Sequence, residues 1–577
     1  MLDPAGLWKY LAELLLRAAT YLAHPVKHDG PRTGCALIEG KNIGHGPTFC
    51  YVVRPVIAFQ PGTGQIQHDK EDGLTDPLAS NRIYDLLIIG GGINGVGIAR
   101  DGAGRGLSVL LCEQDDLGAH TSSASTKLIH GGMRYLEHYA FGLVRKSLRE
   151  REVLLRAAPH IIQPLSFVMP HNPELRPPWL IRAGLFLYDH LEKRELLPGS
   201  HGVNLGTHRA GQALKPEFNK GFIYTDAWVD DARLVVLNAL DAAEHGAHIL
   251  PRTRCIAARR QADLWQLTLK PASGNSEMPV RGRALINAAG PWVMDVLRDS
   301  LGAPSRHRLR LAKGSHIVVR RRFEHEYAYL LQNADKRILF AIPYEHDFTL
   351  IGTTDVEYEG DPANASITDA EVAYLCEMTN RYFQRGISPA DVVWSYSGVR
   401  PLLADDATNL SAVTRDYRLE LDAAPAQAPL LSIFGGKITT YRCLAEEALD
   451  RLALAWPELK SRWTAGAPLP GGDIPDANFD GFLADFRRTA PWLPEALALR
   501  YARAYGTRAG RLLNGAANLG QLGEDFGGGL YQAEVNYLRT HEWAQTAQDI
   551  VWRRSKLGLH LAAESMERLA ERLKRPR

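Results

Sequence analysis

Hydrophobic positions divide the chain into an unpatterned beginning, a long alternating region and a helical end. Residues 24–80 have weak apolar periodicity and many Gly, Pro, His and Asp residues, so we expect residues 1–81 to be a poorly structured extension. In residues 82–455, short apolar runs typical of buried strands alternate with helical patterns, which predicts an α/β fold. In residues 456–577, strand signals are few and amphipathic stretches predict a separate α-helical domain.

The first ordered unit is a strand, a glycine turn, a helix and a second strand. Residues 86–89 are a continuous apolar run that ends at glycines. Residues 94–104 have the small side chains of a closely packed helix, and residues 108–112 are apolar again. This order is the beginning of a doubly wound, dinucleotide-binding (Rossmann-type) fold.

Gly90, Gly92 and Gly95 form the pattern G-x-G-x-x-G between that strand and that helix. The first glycine allows a tight turn, the second lets the backbone approach a pyrophosphate, and the third lets the helix pack on the strand. Free N–H groups at the helix N-terminus favour phosphate there. Glu113, at the end of the second strand, stands where an acidic residue accepts hydrogen bonds from a ribose hydroxyl. The pattern predicts a dinucleotide, either FAD or NAD.

Two further predicted strands also end in small residues. Residues 284–287 lead into Ala288, Ala289 and Gly290, and residues 430–434 lead into Gly435 and Gly436. Three such turns suit a long cofactor lying across one sheet. The segment 122–135 mixes hydroxyls, small residues and cations with buried-type Leu and Ile, and this favours FAD over NAD.

Charge and cysteine content exclude some classes of function. The chain has 67 Lys and Arg against 65 Asp and Glu, a net charge of +2, which gives no support to a nucleic-acid-binding protein. The six cysteines are scattered, so neither a disulfide framework nor a metal site is predicted. No segment reads as a spanning helix. The amphipathic stretch 7–22 suits a membrane surface or packing on the protein itself.

The ordered part of the sequence resembles the FAD-dependent glycerol-3-phosphate dehydrogenases, respiratory enzymes that pass electrons to quinone. The resemblance spans about residues 84–565 and is carried by ten stretches in order, at 90–95, 127–137, 188–191, 224–233, 287–292, 313–319, 351–358, 396–402, 414–417 and 434–442. It implies an FAD domain like those of glutathione reductase and D-amino-acid oxidase, interleaved with a sheet-based substrate domain. It also implies a cytoplasmic homodimer bound peripherally to the inner face of the membrane.

The resemblance, together with the glycine turns, assigns FAD to a set of small, hydroxyl-bearing and basic residues. These are Gly90, Gly92, Asn94, Gly95, Glu113, Ser123, Ser125, Thr126, Lys127, His130, Gly131, Gly132, Gly290, Gly435, Gly436, Lys437 and Thr439.

The resemblance also implies sn-glycerol 3-phosphate as substrate, oxidised at C2 to dihydroxyacetone phosphate. Its phosphate carries about −1.5 to −2 charges at pH 7, and a partly buried dianion needs cations, above all arginine. Carried over by position, the expected substrate-binding residues are Arg134, Tyr135, Thr354, Asp355, Arg400, Arg415 and Lys437.

Oxidation at C2 also requires a base for the hydroxyl proton, and histidine suits this role near neutral pH. His130 ranks above His316, because its loop should run nearest the flavin. Arg400 and Lys437 favour loss of the same proton electrostatically and are further catalytic candidates. The alternative for either histidine is a structural role in the core, with its hydrogen bonds satisfied by the protein itself.

Three alternative functions remain open on the sequence. A glycerol-3-phosphate oxidase has the same fold but gives its electrons to oxygen. An amino-acid or N-methyl amine oxidase would also use arginine, for a carboxylate. A catalytically silent flavoprotein could scaffold a membrane complex. The basic segments 552–557 and 568–577 suit an anionic lipid surface or ordinary helix faces.

Overall fold

The computed structural model describes residues 82–575, except 173–175, 262, 275, 304–307, 334, 336, 404–415, 454–455 and 457. The extension predicted for residues 1–81, the amphipathic stretch within it and Arg415 lie outside the described residues.

The described strands form two sheets. The first sheet contains β1 (Ile83–Ile89), β2 (Val109–Cys112), β7 (His248–Leu250), β8 (Thr253–Gln261), β9 (Leu264–Pro271), β10 (Met278–Asn287), β17 (Arg418–Asp422) and β18 (Leu430–Phe434). The second contains β3 (Leu128–Ile129), β4 (Ile162–Pro170), β5 (His201–Asn204), β6 (Lys220–Val229), β11 (Leu309–Arg320), β12 (Ala328–Gln332), β13 (Ile338–Tyr344), β14 (Phe348–Gly352), β15 (Val356–Glu357) and β16 (Val392–Leu403).

The helices of the described residues follow in chain order. They are α1 (Ile93–Gly104), α2 (Phe141–Ala157), α3 (Pro178–His190), α4 (Asp231–Glu244), α5 (Val293–Asp295), α6 (Asp369–Asn380), α7 (Tyr441–Leu452), α8 (Phe479–Thr489), α9 (Glu495–Tyr505), α10 (Ala509–Leu513), α11 (Gln532–His541) and α12 (Ala563–Lys574).

The centre of the first sheet is parallel and buried on both faces. Its strand order is β17-β18-β10-β1-β2-β7, and the run β18-β10-β1-β2-β7 is parallel throughout. Leu86 and Ile88 of β1 pack with α1, α4 and α7 on one face. Leu87 and Ile89 pack with apolar side chains of β8 and β9 on the other. Burial on both faces is the reason that β1 reads as an uninterrupted apolar run.

The chain passes between the two sheets several times. It leaves the first sheet after β2 to form β3–β6, returns for β7–β10, leaves again for β11–β16 and returns for β17 and β18. The second sheet is mostly antiparallel, with strand order β15-β11-β14-β13-β12-β4-β6-β3. The predicted α/β fold with an interleaved, sheet-based substrate domain is confirmed.

Helices α8–α12 form the predicted helical end of the chain around a core of their own. Buried ion pairs connect this part to the rest. Arg554 donates to Asp116 at 2.9 Å (Nη2 to Oδ1), and Glu542 accepts from Arg233 at 2.9 Å. Because Arg554 is fully buried, the segment 552–557 is not the solvent-facing basic surface that one interpretation of the sequence required.

Gly95 is the contact point between α1 and β1, and its replacement by Ala should disrupt the fold locally. A Cβ at Gly95 would overlap the carbonyl oxygen of Gly90, which is backbone and cannot swing away. We expect Gly95→Ala to lower the free energy of unfolding by about 1–3 kcal/mol, measured by urea unfolding of the purified protein. Gly184→Ala in α3 is the matched control, because a Cβ there meets nothing within 4 Å. Equal stability of the two variants would contradict this packing role.

Candidate active site

A cleft with about 2170 Å³ of empty space, its solvent-open mouth included, lies at the carboxyl ends of β1, β10 and β18. Its wall contains Gly90 and Gly92 after β1, Gly290 after β10, and Gly435 and Gly436 after β18. The three strands are adjacent and parallel, so their turns meet at one edge of the sheet. This edge is where open α/β sheets bind ligands.

The three glycines of the first turn have different surroundings. Gly90 has a φ of +113°, and a Cβ there would lie 2.5 Å from the carbonyl oxygen of Ala288. Gly92 has an ordinary φ of −78°. A Cβ on Gly92 would meet only the Ser122 Oγ, at 3.2 Å. Gly90 and Gly95 are therefore required by the protein's own packing, whereas Gly92 keeps space free at the cleft.

Glu113 lines the cleft and also holds the first turn. Its Oε2 accepts from the Gly91 N–H at 2.6 Å, and its Oε1 accepts from the Asp115 N–H at 2.8 Å. Burial raises the pKa of this carboxyl, although the two N–H donors act in the opposite direction. The carboxyl stands beside the glycine turn, where the sequence predicts a ribose contact.

Ser122 and Asn94 complete the N-terminus of α1. The Ser122 Oγ accepts from the Ile93 N–H at 3.0 Å. Asn94 donates through Nδ2 to the carbonyl oxygen of Gly435 at 3.2 Å, which ties the first turn to the third. The Asn94 Oδ1 is buried and has no hydrogen-bond partner among the described residues. It is an acceptor available to a ligand in the cleft.

Asp231, at the start of α4, holds the hydroxyl-rich loop against the cleft. Its Oδ2 accepts from the Ser125 Oγ at 2.8 Å, and its Oδ1 accepts from the Lys127 ammonium at 2.7 Å. Lys127 is buried and has a φ of +60°. The Lys127 ammonium thus bonds within the protein, and it also donates to the Ser123 carbonyl oxygen at 3.0 Å.

His316 on β11 forms part of the cleft wall in a buried position. Its Nε2 lies 3.0 Å from the Thr126 Oγ1, and its ring stacks on Tyr396 with centroids 4.8 Å apart. Burial, aided by the charges of Lys127 and Arg400, lowers the pKa of His316 to about 3. The ring is therefore neutral at physiological pH, and it is a weak proton acceptor.

Three side chains form the wall nearest the third turn. His130 is half-buried, and its backbone N–H donates to the Thr439 Oγ1 at 3.3 Å. The Lys437 Nζ lies 3.8 Å from the centroid of the Tyr135 ring, a cation–π contact. The ammonium also comes close to Gly132, whose Cβ would be 3.5 Å from it. A base candidate and a cation thus stand on the same wall.

Arg400 reaches the cleft from β16 in the second sheet. Its Nη2 donates to Asp355 Oδ1 at 2.9 Å. The guanidinium lies across Gly314 of β11, where a Cβ would come within 3.1 Å of Nη2. Glycine at this position lets the side chain lie against the strand.

The structure brings most of the predicted residues into the cleft and places the others behind it. The predicted residues in the wall are Gly90, Gly92, Asn94, Glu113, Ser125, Thr126, His130, Tyr135, Gly290, His316, Arg400, Gly435, Gly436, Lys437 and Thr439. Those outside the wall are Gly95, Ser123, Lys127, Gly131, Gly132, Arg134, Thr354 and Asp355.

Three of the residues outside the wall, Thr354, Lys127 and Ser123, correct the sequence interpretation. Thr354 is buried and its hydroxyl bonds to Glu371 and Ser315, so the cleft residue of that turn is Thr353. Lys127 is held in its ion pair with Asp231, and Ser122 rather than Ser123 lines the cleft.

Sequence reasoning missed several wall residues, among them His120, Thr121, Arg254 and Trp292. Trp292 follows the predicted Gly290 turn directly, so its position was an available signal. Its ring makes an edge contact with His120 at a centroid distance of 4.7 Å. Arg254 lies on β8, in a segment without a recognisable motif, and no local signal identified it.

The cleft has features that fit FAD. The Gly92 position leaves room for a pyrophosphate, and the first turn of α1 has no acidic side chain to repel one. Glu113 lies in the cleft wall, where its carboxylate can accept a hydrogen bond from a ribose hydroxyl. The Asn94 Oδ1, without a partner among the described residues, is a further hydrogen-bond acceptor. The wall of the same cleft also contains His130 and Arg400.

Comparisons with known proteins define the class first. Residues 85–442 match the family model described as FAD dependent oxidoreductase. Residues 462–575 match a second model, described as C-terminal domain of alpha-glycerophosphate oxidase. The fold and the cleft are thus those of an FAD-dependent oxidoreductase, and FAD is the cofactor.

Individual relatives narrow this class. A glycerol-3-phosphate dehydrogenase of Pseudomonas aeruginosa is 56% identical over 86% of this chain and 96% of its own length. A D-erythritol 1-phosphate dehydrogenase of Brucella abortus is 51% identical over 84% of this chain and 96% of its own. The crystal structure of the glycerol-3-phosphate dehydrogenase from Bacillus halodurans complexed with FAD is similar with a TM-score of 0.68 at 26% identity, covering 86% of this chain and 94% of that one. The chain belongs to the FAD-dependent glycerol-3-phosphate dehydrogenase family.

Gly92 provides a test of the pyrophosphate position that does not disturb the fold. A Cβ there is compatible with the backbone and requires only a small shift of the Ser122 hydroxyl, but it would occupy space at the cleft. We expect Gly92→Ala to keep the thermal stability of the apoprotein and to weaken FAD binding by about tenfold or more. Flavin fluorescence titration of the apoprotein measures this, with Gly184→Ala as control. Unchanged FAD affinity would mean that the pyrophosphate lies elsewhere.

Proposed function

We propose that this protein catalyses the FAD-dependent oxidation of sn-glycerol 3-phosphate at C2 to dihydroxyacetone phosphate. The observation that carries the proposal is that Arg400, Lys437 and His130 line the same cleft as the glycine turns. These residues come from separate parts of the chain. Their convergence supplies cations for a phosphate and a base candidate beside the cofactor.

Arg400 and Lys437 are the proposed phosphate-binding groups. The guanidinium has a forked donor geometry that matches phosphate oxygens, and Asp355 fixes its direction. Lys437 adds a point charge whose position is set by the Tyr135 ring. Arg134, half-buried in the turn before α2 and outside the cleft wall, remains a proposed contact. Arg415, which lies outside the described residues, remains one as well.

His130 is the proposed acceptor of the C2 hydroxyl proton. The low pKa of His316 makes that ring a poor base, since an efficient base has a pKa near the working pH. FAD, when bound, supplies the acceptor for the hydride that leaves C2. His316 and Thr126 are then proposed to shape the cleft wall and to exclude water from it.

A four-carbon polyol phosphate is the second candidate substrate. The specific reason is the 51% identity to a D-erythritol 1-phosphate dehydrogenase. Phosphate recognition by Arg400 and Lys437 would serve either substrate, so a comparison of both polyol phosphates decides between them.

We also propose that a membrane quinone accepts the electrons and that the enzyme works as a homodimer at the membrane surface. These parts of the proposal rest on the family resemblance, and oxygen is the alternative acceptor. Sedimentation of the purified protein tests the dimer.

Anaerobic reduction of the flavin tests the proposed reaction directly. We expect glycerol 3-phosphate to bleach the flavin absorbance completely, and glycine or N-methylglycine to leave it unchanged. A short-chain quinone should then restore the absorbance faster than air does. Reduction only by an amine substrate would overturn the proposal, and faster recovery in air would favour the oxidase.

Arg400→Ala tests the phosphate contact in the same assay. Loss of a charged hydrogen-bond partner costs about 1.5–3 kcal/mol, so the substrate concentration for half-maximal bleaching should rise at least about tenfold. Arg381→Ala is the control, because Arg381 forms an exposed ion pair with Glu377 at 2.8 Å on α6. Equal behaviour of the two variants would remove Arg400 from the phosphate site.

The α3 surface, consisting of Trp179, Arg182, Phe186, Lys193 and Leu196, is the proposed membrane contact. Phe186 is 55% exposed, Trp179 44% and Leu196 37%, although soluble proteins usually cover such a group of side chains. Arg182 adds positive charge beside them, which suits an anionic lipid surface, whereas the charge of Lys193 is paired with Glu195 at 3.0 Å. No helix in the described part of the chain is long and apolar enough to cross a bilayer.

Phe186→Ser tests this surface by sedimentation with vesicles that contain phosphatidylglycerol. Removing one exposed aromatic ring should lower the partition coefficient of the protein onto the vesicles by about tenfold. The partition coefficient is obtained from the bound fraction at limiting lipid. Val393→Ser is the matched control, since Val393 is 46% exposed but lies on β16, away from α3. Equal loss of binding in both variants, or loss in neither, would contradict the α3 surface.

A further inference from the structure

The turn after β14 contributes three consecutive side chains with different tasks. Thr353 lines the cleft, and Asp355 accepts from Arg400 at 2.9 Å. Thr354, between them, points into the protein and is fully buried. The chain therefore places a buried hydroxyl directly between a cleft residue and the partner of the proposed phosphate-binding arginine.

Thr354 is bonded to β11 in two ways. Its Oγ1 accepts from the Ser315 N–H at 2.9 Å, and its own N–H donates to the Ser315 carbonyl oxygen at 3.3 Å. Because β11 pairs with β16 at the register Ala312 opposite Arg400, these bonds fix the turn relative to the strand that carries Arg400. The Thr354 hydroxyl hydrogen is directed to Glu371 Oε1, at 2.8 Å.

Glu371 connects this turn with β11 and with the N-terminus of α6. Its Oε1 also accepts from the Ser315 Oγ at 2.9 Å. Its Oε2 is 2.9 Å from the Lys313 ammonium and accepts from the Thr368 N–H at 2.9 Å. Burial would raise the pKa of Glu371, but these donors outweigh it and lower the pKa, so the group stays ionised. The hydroxyl, ammonium and N–H donors around Glu371 therefore all point to one ionised carboxylate.

We propose that Thr354 and Glu371 are positioning residues that orient Arg400 toward the phosphate of the substrate. They act through the Thr353–Asp355 turn, and neither touches the substrate itself. The inference rests on the proposed function, because the role of Arg400 comes from it. It adds that phosphate recognition depends on a buried carboxylate and hydroxyl behind the cleft wall.

A double-mutant cycle between Thr354→Val and Arg400→Ala tests the inference, because coupled residues give non-additive effects. Valine keeps the shape of threonine and removes both hydrogen bonds of the hydroxyl, the one accepted from the Ser315 N–H and the one donated to the Glu371 carboxylate. We expect Thr354→Val to raise the glycerol 3-phosphate concentration for half-maximal flavin reduction by about five- to tenfold, with a smaller effect on the rate at saturation. In the Arg400→Ala background the same change should have less than about a twofold effect. Thr354→Ser should restore wild-type behaviour.

Thr379→Val is the matched control for loss of a buried hydroxyl. Thr379 lies on α6, the helix of Glu371, and donates to the Leu375 carbonyl oxygen at 2.7 Å, away from the turn. We expect it to leave the concentration dependence unchanged. An equal effect of Thr354→Val with and without Arg400, or an equal effect of Thr379→Val, would overturn the positioning role.

Asp355→Asn provides a second route if Thr354→Val does not fold. It keeps the side-chain shape but removes the charge that faces Arg400, and it should weaken substrate binding only when Arg400 is present. Failure of the wild-type flavin to bleach would refute the proposed function, and the inference with it. A wild-type flavin that bleaches, together with additive variants, would refute the inference alone.

Discussion

Three neighbouring parallel strands that end at one edge of a sheet are the constraint on which this molecule depends. Because β1, β10 and β18 are adjacent, the small-residue turns after them share one cleft. Parallel neighbours need long connections, and in this chain those connections build the second sheet. The long connections between the parallel strands therefore also place β11 and β16 beside the cleft. His316 of β11 and Arg400 of β16 lie in its wall.

Patterns that depend on local burial could be predicted well from the sequence. The strand at 430–434 coincides with β18, and the first strand, helix and second strand were predicted to within a few residues. The cations Arg400 and Lys437 both lie in the cleft wall. Which side of a turn faces the ligand was not predictable, because turn residues have no periodicity. Only tertiary packing separates Thr353 from Thr354, and Ser122 from Ser123.

Buried ion pairs explain why some residues in the matching stretches support the site instead of forming it. Lys127 stands in the hydroxyl-rich segment, yet its partner is Asp231. Arg233 stands two residues further along the chain and pairs with Glu542 of the helical end. Such pairs add little net stability, but breaking one is costly because a charge is left unpaired. Sequence similarity marks these residues as strongly as those that touch a ligand.

Both sheets contribute to the cleft. The glycine turns, Glu113 and Lys437 belong to the first sheet, whereas Arg400, which donates to Asp355, belongs to the second. A change on the second sheet can therefore alter the substrate without moving the glycine turns. Arg400 and Lys437 are the proposed phosphate contacts, so selectivity for the length of the polyol chain has to come from other residues of the cleft wall.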